Sequence, residues 1–232
     1  MIAALAPAFA DPVLDAQGAF RAAMNALARP GRVLPLACGL TPPDPLSAEA
    51  AAMALTLIDY ETPVWLDAPL AAMDAVSDWL RFHTGARMTD DPSCADFALI
   101  SDAACLPDFA LFSSGREDYP DRSTTLIVQV ESLSSGTALT LSGPGIERTQ
   151  VLRVAPLPAD FADRAAANRH LFPRGVDLLF VSTGGVAGLP RSTVLEIESL
   201  SCMSRSRAAR RRLRMPISCW RMKGAAIPGS PN

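Results

Sequence analysis

Along the first third of the chain apolar residues recur at helical spacing; beyond it they gather in short runs of strand length. Val13, Ala16, Phe20, Ala23 and Leu27 follow one another at intervals of three and four, the period of a helix face. Asp11-Pro12 supplies its start, a side-chain acceptor followed by a proline whose missing N–H costs nothing there, and Pro30-Gly31 stops it. A short strand, RVLPL, follows at 32–36. Ser47 opens a second helix through Met53, Leu57 and Ile58, and Pro63 ends it ahead of a strand at 64–67. Pro69 begins a third helix that carries Met73, Val76, Trp79, Leu80 and His83 to Gly85.

After Gly85 the pattern predicts strands at 96–101, 123–131, 137–142, 148–154, 176–182 and 193–197, with one helix at 159–171. Segment 103–112 fits neither period. TLIVQV (125–130) and VDLLFV (176–181) are almost wholly apolar, as central strands covered on both faces must be. The expected architecture is α/β: a single domain over residues 1–198 with a mixed sheet flanked by helices. TPPDP at 41–45 reads as a surface loop inside it.

Composition narrows this picture. With 49% apolar and 19% charged residues the chain is not generally disordered, and no apolar run is long enough to span a membrane. Charge is unevenly placed: residues 1–198 carry net −11, whereas 199–232 hold seven arginines and Lys223 without an acid. An acidic body argues against nucleic acid as its partner. The five cysteines, Cys38, Cys94, Cys105, Cys202 and Cys219, form no CxxC pair and signal neither zinc nor a disulfide framework. The N-terminal MIAALAPAFADPV imitates a signal-peptidase site but lacks a basic n-region, so a cytoplasmic protein is expected.

Chemical signatures are sparse. There is no GxxxxGK[ST], GxGxxG, GxSxG or HExxH, and two histidines cannot build a histidine-rich metal site. SGPGI (142–146) and STGG (182–185) could present N–H groups to a ligand, but the simpler reading of both is a turn. Arg81 and His83 close the third helix, where cations complement its negative end; a catalytic His83 would need a carboxylate such as Asp59 or Asp78. Asp118, Asp121 and Arg122 bracket Tyr119-Pro120 as a salt-bridged turn or a recognition loop, and Arg174 and Asp177 flank the start of another central strand. Arg81, His83, Asp121, Arg122, Arg174 and Asp177 are therefore the anion-site or interface candidates, with no catalytic, cofactor or metal residue assigned.

Several blocks in a fixed order carry a resemblance. FRAAMNALARPG (20–31), LTLIDYETPVWL (55–66), WLRFHTGA (79–86), YPDRSTTLIVQVESL (119–133), LSGPGI (141–146), FPRGVDLLFVS (172–182) and LPRSTVLEI (189–197) resemble the H subunit of the bacterial carbon–phosphorus lyase system, the PhnH family. The resemblance implies a part in phosphonate catabolism: assisting the G, I and L proteins in making α-D-ribose 1-phosphonate 5-triphosphate from ATP and a phosphonate. It also implies a core complex with the G, I and J subunits, L and K as further partners, and a homodimer when isolated. The implied fold resembles that of pyridoxal-phosphate-dependent transferases without the cofactor. The residues agree on that last point, because the chain has no lysine before Lys223 and an aldimine needs a lysine amine.

Two other classes compete with this reading. One is a stand-alone small-molecule enzyme using His83, Arg81 and Asp59; the other is a nucleic-acid or membrane-surface protein acting through RSRAARRRLR at 205–214. The tail departs from the family pattern, which ends near residue 198. Bases able to encode Cys202–Ala209, read from one base earlier, give MYVAVKGG, which is similar to the start of the I subunit. The tail is thus expected to be an out-of-frame extension without a fold of its own.

Overall fold

The computed structural model describes residues 8–197, so the expectations for the basic tail lie outside the described residues. The first helix, α1 (Pro12–Ala28), starts as its sequence requires: the Asp11 carboxylate accepts the free N–H groups of Val13 at 3.1 Å and Leu14 at 3.0 Å. Its buried face consists of Ala19, Ala22, Ala23 and Ala26, so the helix lies close on its neighbours. Strand β1 is short (Leu34–Pro35), and Ser47 caps α2 (Ala48–Leu57) by accepting the Ala50 N–H. Strand β2 (Pro63–Leu66) follows.

The expected third helix is two helices, α3 (Ala68–Ala71) and α4 (Asp74–Thr84), separated by Met73 in an extended conformation. Leu70 and Val76 are both fully buried. On one continuous helix they would point about 120° apart, and the break lets both reach the core. Neither proline nor glycine marks this break in the sequence.

The remaining strands are β3 (Arg87–Met88), β4 (Phe97–Ile100), β5 (Thr125–Gln129), β6 (Ser132–Ser142), β7 (Gln150–Ala155), β8 (Asp177–Ser182), β9 (Gly185–Leu189) and β10 (Val194–Ile197). Helix α5 (Phe161–His170) lies between β7 and β8. Segment 103–112 holds two single 3₁₀ turns, Ala103–Cys105 and Phe109–Leu111.

Seven strands form the main sheet in the order β1-β9-β8-β5-β4-β2-β3, with β3, β2, β4, β5 and β8 parallel and β9 and β1 continuing it antiparallel. The mixed α/β sheet is as expected, but its covering is not. Strands β10, β6 and β7 leave it to form a separate antiparallel sheet. Alternation along the central strands sorts the core accordingly. Leu99, Ile127 and Leu179 meet α1, α2 and α4 on one face, while Ala98, Ile100, Leu126, Val128 and Phe180 meet the small sheet and α5 on the other. Helices therefore flank one face, and a second sheet with α5 closes the other.

Gly185–Leu189, GVAGL, was not expected as a strand, yet all five residues are buried. Its glycines serve packing: a Cβ at Gly188 would come within 2.6 Å of the Ala26 backbone in α1. STGG is indeed a hairpin turn, but it leads into β9 rather than into the final strand. SGPGI turns between β6 and β7 beneath the end of α1, where a Gly145 Cβ would clash with the Ala28 carbonyl oxygen. That is the negative end of a helix, which repels an anion.

Candidate functional site

Open α/β sheets bind ligands beyond the carboxyl ends of their strands, where successive crossovers run to opposite sides. Here β2 leads out to β3 on one side and β4 to β5 on the other, which places that point between β2 and β4. The residue after each strand is polar, Asp67 and Ser101, and the two are bonded to each other. Asp67, almost wholly buried, accepts the Ser101 N–H at 2.6 Å and its hydroxyl at 2.7 Å, while its other oxygen caps α3 through the Leu70 N–H at 3.2 Å. Gln129, ending β5, accepts the Ser47 N–H at 2.5 Å and donates to the carbonyls of Pro45 and Ser101. After β8, the Gly184 N–H donates to Glu49 at 2.7 Å. The groups that could greet a ligand bind one another instead.

Nor is a nucleophile activated there. Burial, with the negative charge of Glu49 beside it, pushes the Cys38 thiol up to about 11. The Cys105 thiol is also raised, chiefly through its hydrogen bond to Asp102. Both sulfurs therefore stay protonated at neutral pH, the opposite of a catalytic thiolate. No group of three or more metal-ligating side chains occurs among the described residues.

The amino ends of the strands hold a denser cluster. Arg191, just past β9, donates to the Asp177 carboxylate through Nη2 at 2.6 Å and Nε at 3.1 Å, and its own backbone N–H adds a third bond at 2.8 Å. Its Nη1 reaches the carbonyls of Pro120 at 2.6 Å and Pro173 at 3.5 Å, and Nη2 also donates to the hydroxyl of Ser123. One guanidinium thus ties together the YPDRS, FPRGVD and LPRST segments. Asn168 of α5 adds a clip, donating to the Val176 carbonyl at 2.9 Å and accepting its N–H at 2.8 Å. Gly175 permits this close approach: its φ is 122°, and a Cβ there would sit 2.7 Å from Oδ1 of Asn168.

The sequence candidates are thereby dispersed. Asp177 pairs with Arg191 rather than with Arg174, its expected neighbour. Asp121 and Arg122 are exposed and form no ion pair among the described residues. The expected salt-bridged turn is held by backbone bonds instead, including the Arg122 N–H to the Tyr119 carbonyl at 3.2 Å, with the Arg122 guanidinium 4.8 Å above the Tyr119 ring. Burial raises the nearby Asp96 carboxyl, opposed by the positive charges of Arg122 and Arg87. On α4, Arg81 pairs loosely with Asp78 at 3.8 Å, and the His83 ring packs on Trp79 at 4.7 Å and Phe82 at 5.0 Å. Asp59 accepts N–H bonds from Glu61 and Thr62 in its own turn.

Arg191, Asn168, Asp67 and Gln129 were not singled out by the sequence. Arg191 had a signal in its place within LPRST, but the partner that gives it meaning lies 14 residues away across the sheet edge.

The described body is thus a mixed α/β domain in which the polar groups after β2 and β4 bond one another and the Cys38 and Cys105 thiols are raised. The comparisons with known proteins give the family. The sequence pattern described as "Bacterial phosphonate metabolism protein (PhnH)" matches residues 7–196, and the chain belongs to that family. A Rhizobium meliloti (strain 1021) protein, "Alpha-D-ribose 1-methylphosphonate 5-triphosphate synthase subunit PhnH", is 46% identical over 191 residues, 82% of this chain and 95% of its own. The "Putative C-P lyase subunit protein HtxG" of Stutzerimonas stutzeri is 36% identical over 183 residues, covering 78% and 86%.

Proposed function

We propose that the chain is the H subunit of an α-D-ribose 1-methylphosphonate 5-triphosphate synthase within the carbon–phosphorus lyase machinery of phosphonate catabolism. The observation that carries this reading is the 46% identity to the Rhizobium subunit over 95% of that protein's length. In this role the chain assembles in the cytoplasm with the G, I and J subunits, and with L and K as further partners, without nucleic acid or membrane. No helix among the described residues is long and apolar enough to cross a membrane. The Arg191–Asp177 clasp is the architectural centre of the subunit, while Arg81, His83, Asp121, Arg122 and Arg174 serve on its surface as interface groups.

The fold is read as that of pyridoxal-phosphate-dependent transferases stripped of the cofactor. With Lys223 as the only lysine of the chain, residues 1–222 do not fit that group, and no cofactor is assigned. The isolated protein is read as a homodimer. The support is an apolar stripe on α1, where Val13, Phe20 and Met24 recur on one face and are 64%, 49% and 51% exposed. Residues 1–198 are the functional domain and 199–232 are dispensable.

Complementation tests the reading. A phosphonate-utilising bacterium deleted for its H subunit should regain growth on methylphosphonate as sole phosphorus source when given residues 1–198. Failure of both this segment and the full chain, each expressed and folded, would overturn it.

A further inference from the structure

A groove of about 440 Å³ runs between α5 and β10, lined by Ala165, Ala166, Arg169 and His170 on the helix and by Val194 and Leu195 on the strand. Consecutive strand residues point to opposite faces, so a cavity touching both Val194 and Leu195 opens along the edge of β10. That edge is free of strand partners among the described residues, since β10 is the outer strand of its sheet. An open groove of mixed polarity between a helix and a strand without a further strand partner is a place where an extended peptide adds to the sheet.

The charges of the groove say what the peptide carries. The body has net charge −11, yet Arg169, on the groove wall, has no carboxylate partner among the described residues. Arg169 is held in place by stacking on Phe172 at 4.9 Å, while its buried Nε lacks any hydrogen-bond acceptor. A guanidinium on the wall of an open groove with no acid beside it attracts a carboxylate, which its Nη hydrogens meet as a charge-assisted pair. The chain's own residues 199–232, with eight cations and no acid, have the wrong sign to supply it.

We propose that the α5–β10 groove receives an extended, acid-bearing segment of a partner subunit, which lengthens the small sheet at β10 and places a carboxylate on Arg169. This rests on the reading of the chain as a complex subunit. The test is photo-crosslinking in the co-expressed complex of this chain with the G, I and J subunits. p-Benzoylphenylalanine is placed at Ala166 or Val194, and at Val151 on the opposite edge strand as control.

Positions 166 and 194 should crosslink to one contiguous, Asp- or Glu-bearing segment of a partner, and position 151 should not. Arg169→Glu should weaken complex formation at least tenfold, with its melting read first to verify folding. Ala166→Trp, which fills the groove without altering charge, should do the same and decides the matter if Arg169→Glu unfolds. Crosslinks only to residues 199–232 or to a second copy of this chain would overturn the proposal. So would protection of positions 166 and 194 by ATP or inorganic phosphate alone, or an assembled complex in which both positions stay silent. If the unsubstituted chain forms no complex at all, the subunit reading falls and this proposal with it.

Discussion

Replacing Arg191 by alanine should be among the most damaging single changes to this fold. The Arg191 and Asp177 side chains are only 13% and 20% exposed, and removal of one member of a largely buried pair costs about 3–5 kcal/mol because the other charge is left uncompensated. The residual exposure, together with the backbone N–H of residue 191 that still reaches Asp177, favours the lower end, about 3 kcal/mol. For a body of this size that corresponds to a melting temperature lower by about 6–12 °C. In urea, with a slope of about 2 kcal/mol/M, the midpoint should fall by about 1.5 M. Arg191→Lys keeps the charge but not the planar fork that also reaches Pro120, Pro173 and Ser123, and should recover about half of the loss. The double variant Arg191→Met/Asp177→Leu should be less destabilised than the sum of its parts by about 1–3 kcal/mol. Equilibrium urea unfolding of residues 1–198 measures all of these. A loss below about 0.5 kcal/mol for Arg191→Ala would refute the clasp as an architectural element.

Three further outcomes follow from the same structure. Gly188→Ala should destabilise by about 1–3 kcal/mol in thermal melts, because its Cβ would lie 2.6 Å from the Ala26 backbone and α1 would have to lift from β9. Cys38 should be alkylated by iodoacetamide more slowly than exposed Cys94 at pH 8.5, read by peptide mass mapping. Its folded pKa of about 11 exceeds the ordinary 9.0, so its contribution to stability is intact below pH 9 and is lost as pH rises from 9 towards 11. Phe20→Asp, on the exposed stripe of α1, should shift the isolated protein from dimer to monomer in analytical ultracentrifugation and leave a melting temperature that no longer depends on protein concentration.

What the sequence disclosed, and what it hid, divides along the range of the interactions involved. The caps of α1 and α2 were legible because Asp11 and Ser47 act on N–H groups two or three residues away. Strands β5 and β8 were legible because burial on both faces leaves an unbroken apolar run. The break at Met73 was not, since it arises from where Leu70 and Val76 must point once the sheet exists. Strand β9 was hidden because its small residues serve α1, 160 residues earlier in the chain, and glycine by itself reads as a turn. Two residues are too few to give β3 a period. Of the site, Asp177 was visible as a charge beside a buried strand, but its pairing with Arg191 depends on the hairpin that returns β9 to the same edge.

The proposed H-subunit role requires that this chain act together with the other synthase subunits. Release of adenine from ATP in the presence of methylphosphonate, followed by chromatography with purified G, I and L subunits, tests it most directly. The account predicts no adenine from this chain by itself, release when all four proteins are present, and loss of release when this chain alone is withheld. Adenine released by the isolated chain, or undiminished release without it, would contradict the account.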